Sequence, residues 1–99
     1  MIMTLYELVT STEHGLQKGT FLGTVTLQHG QITVDVSEPT LKHTLEEFFS
    51  QPLATPYGDS TGDRTATLLR YIPPHTPEFL REAYYELRNV YRLYPELEG

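Results

Sequence analysis

The stretch from Thr20 to Val36 constrains this chain more than any other. Two runs of strand formers, Thr20–Gln28 and Gln31–Val36, flank the dipeptide His29-Gly30. A two-residue loop there pairs Leu27 with Ile32, Val25 with Val34 and Gly23 with Val36. All three pairs fall on one face, while Thr26 opposite Thr33 and Thr24 opposite Asp35 fall on the other. A slip of one residue would send every apolar side chain to the wrong side. The loop needs positive φ at both its residues. Histidine tolerates this better than most side chains, and glycine supplies it at no steric cost. A hairpin with one apolar face needs a cover, so the rest of the chain is read for what could provide it.

Two helices are predicted. Ser37-Glu38-Pro39 opens the first, with Ser37 as the capping residue, Glu38 complementing the dipole and proline in the first turn. Leu41, Leu45, Phe48 and Phe49 span an arc of about 100° at 3.6 residues per turn. His43 and Glu47 lie nearly opposite that arc, and Gln51-Pro52 ends the helix. Thr76-Pro77-Glu78 opens the second, read as running to Tyr94 with Pro95 as its stop. It sorts into three sectors. Phe79, Leu80, Ala83, Tyr84, Leu87, Val90, Tyr91 and Tyr94 form an apolar arc. Arg81, Arg88 and Arg92 form a stripe with Tyr85 beside them, and Glu78, Glu82, Glu86 and Asn89 form the third sector.

The remaining segments are read from their punctuation. Leu5–Thr10 is a strand, and Ser11–Gly19 a polar connection. Pro52–Asp63 is a long loop rich in turn residues. Thr65–Ile72 is a strand with apolar residues on both faces, which places it inside the sheet, beside either the first strand or the second arm of the hairpin. The predicted order is β-β-β-α-β-α in a single 99-residue α+β domain. Its architecture is a small two-layer sandwich, a mainly antiparallel sheet with two helices on one face. The opposite face is threonine-rich, either wet or covered by a second subunit.

Composition narrows the function classes. There is no cysteine, which excludes a disulfide framework, a thiolate metal site and a cysteine nucleophile. No signal-peptide pattern or apolar membrane-spanning run is present, so the expectation is a cytoplasmic protein with no membrane partner. The net charge of −6 argues against a nucleic-acid partner. Its distribution is uneven. Residues 1–63 hold two basic and eight acidic side chains, whereas residues 64–99 hold five arginines and five glutamates. Such asymmetry fits contacts between the two parts or with a partner.

Three groups of residues are candidates for a site. Arg81, Tyr85, Arg88, Tyr91, Arg92 and Tyr94 combine guanidinium groups with tyrosines, residue types that favour interfaces. Asp59, Asp63 and Arg64, with His75, offer an alternative ligand-binding set in a Gly-Asp-x-x-Gly-Asp loop, which matches neither a calcium loop nor a P-loop. His43 and Glu47 are two potential metal ligands at helical spacing, one fewer than a catalytic zinc site requires. No serine sits in a nucleophile elbow. No catalytic residue, metal or cofactor is therefore assigned. The expectation is a non-enzymatic protein-interaction or homo-oligomeric domain, the alternative a small-molecule or anion-binding domain using the Asp59–Arg64 loop, an enzyme accessory being one form it could take.

Overall fold

The hairpin forms in the register its pattern requires. A computed structural model of the chain describes residues 1–56 and 69–98. In it β2 (Gly15–Gln28) and β3 (Gln31–Val36) pair antiparallel, with Leu27 opposite Ile32, Val25 opposite Val34 and Thr26 opposite Thr33. His29 and Gly30 turn the chain at φ of 53° and 73°.

β1 (Ile2–Ser11) pairs with β2 along its whole length, from Ile2 opposite Thr26 to Ser11 opposite Gly15. The expected polar connection from Ser11 to Gly19 is therefore mostly strand, and the turn is confined to Thr12–His14. Ser11 Oγ accepts the amides of Glu13 and His14 at 3.2 and 3.3 Å. Pairing with an adjacent strand outweighs the polar composition that suggested a loop.

Two register shifts interrupt β1–β2. Leu5 lies opposite Gly23, but Tyr6 lies opposite Phe21, so Leu22 is an extra residue on β2. A second shift separates Tyr6–Phe21 from Leu8–Lys18. Bulges of this kind reverse the side-chain parity of the strand that carries them.

α1 (Pro39–Phe48) starts one residue later than Ser37 capping implied. Glu38 is the cap, its carboxylate accepting the amides of Thr40 at 3.1 Å and Leu41 at 2.7 Å. α2 (Pro77–Asn89) begins as expected, with Thr76 Oγ1 accepting the Phe79 amide at 3.2 Å and Pro77 in the first turn. It then stops at Asn89 rather than Tyr94. Arg92 takes φ of 59° and the chain returns as a strand, β6 (Leu93–Glu98), antiparallel to β1. The reason is visible in its burial. Leu93 and Pro95 are buried while Tyr94 and Glu96 are half-exposed, a period of two rather than 3.6. Pro95, read as a helix stop, sits inside an edge strand, where a residue without an amide N–H is accommodated.

The segment read as a loop after Pro52 also contains a strand, β4 (Leu53–Pro56), paired antiparallel with β5 (Leu69–Ile72) in a separate two-stranded sheet. β5 therefore lies beside neither the first strand nor the hairpin, and β6 takes the place at β1. Residues 65–68 of the expected strand lie outside the described residues. The main sheet has the order β3-β2-β1-β6.

The fold is α+β, with both helices on one face of an antiparallel sheet. All expected elements occur in the expected order, and β4 and β6 are added to them. Met3, Leu5, Val25, Leu27, Val34, Val36 and Leu93 from the sheet share one core with Leu45, Phe49, Phe79, Leu80, Ala83 and Leu87 from the helical layer. Among the described residues, no helix lies on the other side of the sheet.

Candidate interaction surface

The open sheet face is laid out by the strand register. One row across it reads Glu96, Thr4, Thr24, Asp35, and the next reads Glu98, Ile2, Thr26, Thr33. This is the threonine-rich surface expected from the hairpin. At its other end lies a row the hairpin pattern does not predict: Tyr94, Tyr6, Phe21. The bulge at Leu22 creates it. Unbroken alternation would put Phe21 on the same side as Gly23 and Val25, facing the helices. The extra residue instead packs Leu22 against the core and turns Phe21 outward, 59% exposed.

The rings of Tyr6 and Phe21 meet edge to face, with centroids 6.0 Å apart at 73°. The ammonium of Lys18 sits 4.7 Å above the Tyr6 ring and 3.1 Å from Glu96 Oε1. The hydrogen bond to Glu96 raises the Lys18 pKa above the usual lysine value, and the carboxylate's charge adds to the effect. Beyond Lys18, the β1–β2 ribbon carries Leu8 and Leu16 on the same side, with Leu16 46% exposed.

At the β6 edge the aromatic row continues onto α2. Arg88 stacks between two rings, its guanidinium carbon 5.3 Å from the Tyr94 centroid and 5.5 Å from that of Tyr84. It also donates to the Tyr84 hydroxyl. Tyr84 in turn meets Tyr85 edge to face at 5.5 Å. A band of apolar rings and two cations thus runs from Phe21 to Tyr85. Aromatic surface bearing polar tips, with a guanidinium stacked on it, is suited to burial against another macromolecule.

Of the predicted partner-binding residues, the structure brings Arg88 and Tyr94 into contact and reaches Tyr85 through Tyr84. Arg81 is exposed two turns earlier on α2. Arg92 is exposed in the turn after the helix, so the arginine stripe is two residues long rather than three. Tyr91 packs inward, its ring 5.4 Å from Phe48. Tyr6, Phe21, Lys18 and Glu96 were missed. Their grouping depends on two bulges and a strand that the periodicity of the sequence hides.

The alternative site fares differently. Asp59, Asp63 and Arg64 lie outside the described residues. His75 takes φ of 65°, and its Nδ1 accepts the backbone amide of Ile32 at 3.2 Å. His43 and Glu47 form an exposed pair at 3.2 Å, and among the described residues no group of three potential metal ligands occurs. No helix among them is long and apolar enough to cross a membrane. Comparison with protein-family models, with curated proteins and with solved structures returns no match.

Proposed function

We propose that this chain is a non-enzymatic interaction domain that docks a protein partner on the open face of its sheet, with Phe21 and Tyr6 as anchors. The observation that carries this reading is the aromatic row Tyr94, Tyr6, Phe21 on the face that no helix among the described residues covers, with Phe21 59% exposed at the end of the row. Exposed large apolar groups are common singly, whereas a contiguous set edged by charged residues is typical of contact surfaces. Here Lys18, Glu96 and Arg88 provide that edge, and each is already held in place by a neighbour. Ordering them on binding therefore carries a smaller entropic cost. The cysteine-free composition suits a reducing, cytoplasmic setting. For the anion-binding alternative, Asp59, Asp63 and Arg64 lie outside the described residues, and His75 Nδ1 accepts the Ile32 amide.

The test compares the wild-type chain, Phe21→Asp and a control change at another exposed apolar position, Val90→Asp, as affinity baits read by quantitative mass spectrometry. A partner retained by Val90→Asp and lost with Phe21→Asp supports the reading. Identical recovery with both variants counts against the open face.

A further inference from the structure

Among the described residues the sheet ends on one side at β3, and no strand pairs with the outer edge of β3. In an antiparallel pair, alternate amides point toward the neighbouring strand and away from it. The Ile32 amide points away from β2, because it donates to His75. The amides of Val34 and Val36 follow it in phase. Among the described residues, no other amide of β3 bonds outside the sheet. A cleft of about 210 Å³ lies alongside, lined by Ile32, Val34, Glu46, Phe49, Ser50 and His75. β3 has neither the proline nor the lysine with which natural edge strands deter pairing.

We propose that this edge pairs with the same edge of a second copy of the chain, antiparallel about a two-fold axis through Val34. The strand is complementary to its own reversal. In this register Ile32 faces the partner's Val36 and Val34 faces the partner's Val34, so every outward amide and carbonyl of the three residues finds a match. The helix-facing side chains of the strand, Ile32, Val34 and Val36, meet apolar counterparts across the junction. On the open side Thr33 stands opposite the partner's Asp35, twice, giving a hydroxyl to each carboxylate. A slip of two residues in one direction sets Asp35 against Asp35, and in the other direction it loses Val36 to the turn at Gly30. The second copy is therefore a better match than an arbitrary extended peptide.

His75 is the guard of this edge. Its side chain occupies the Ile32 amide that the second copy needs, and it does so from a left-handed backbone conformation unfavourable to any residue with a Cβ. The pairing edge is distinct from the aromatic row, which lies on the far half of the sheet.

Sedimentation analysis of the full chain over a range of concentrations tests the proposal. His75→Gly frees the amide in a conformation glycine accepts, and should tighten the dimer roughly tenfold, one hydrogen-bonding group being released in each copy. Thr33→Asp places like charges opposite each other at two points and should weaken it severalfold, while Thr33→Lys should strengthen it. Thr33 is exposed, so neither change disturbs the core. A His75→Gly chain that stays monomeric at all concentrations would overturn the proposal. So would a dimer equally tight in Thr33→Asp and Thr33→Lys, or one abolished only by Phe21→Asp, which would assign association to the open face instead.

Discussion

Gly23 is where a single residue decides the geometry around it. It sits beside the Leu22 bulge at φ of 156°, and a Cβ there would lie 2.3 Å from the carbonyl oxygen of Asp35 and 2.8 Å from Val36 Cγ2. Neither atom is the end of a flexible chain, so the strands themselves would have to part. Gly23→Ala should destabilise the protein by about 2–3 kcal/mol in urea denaturation, within the range for overpacked positions. Caps offer a second test at this scale. Glu38 rather than Ser37 receives the free amides of α1. Glu38→Ala should therefore cost about 1 kcal/mol and Ser37→Ala much less, by the same measurement.

At the scale of elements, what the sequence conveyed depended on whether the partner was near in the chain. The β2–β3 hairpin was legible to the register, because its pattern and its turn are local and agree. The two helix starts were legible from Thr76-Pro77 and the neighbourhood of Pro39. The end of α2 was not. Val90, Tyr91 and Tyr94 continue the helical arc of the preceding residues, so their spacing alone fits a helix. They leave it because the free side of β1 is available to Leu93–Glu98, a strand partner distant in sequence. Arg92 discriminates between the two readings. In a helix, glycine at this position would cost about 1 kcal/mol. At φ of 59° it should instead stabilise the protein by some tenths of a kcal/mol to about 1 kcal/mol, as a thermal melt of Arg92→Gly would show.

Across the whole molecule, the candidate surface was half legible. The threonine-rich face followed from hairpin parity, and Arg88 and Tyr94 were singled out for their chemistry. Their company was not visible, because Tyr6 and Phe21 join them only after a bulge reverses one strand and β6 is laid beside β1. The charge asymmetry has a partial account. Lys18 reaches Glu96 from the acidic part of the chain, while Arg70 pairs with Glu78 at 2.6 Å inside the arginine-bearing part. The affinity test at Phe21 has a counterpart in stability. With its ring largely in water, Phe21→Asp should leave the urea midpoint little changed, so a lost partner could not be blamed on unfolding.

The two borders of the main sheet differ in one atom group that matters beyond folding. β6 carries Pro95, which has no N–H to offer an incoming strand, whereas β3 has an N–H at every position. A sheet that accepts a neighbour at one border only can be extended once. Two such molecules joined through β3 would present a proline-bearing border at each end, which disfavours adding a further strand to the row. Filament growth would thereby be separated from pairing, and a protein whose one pairing edge is guarded only by His75 would remain a discrete particle.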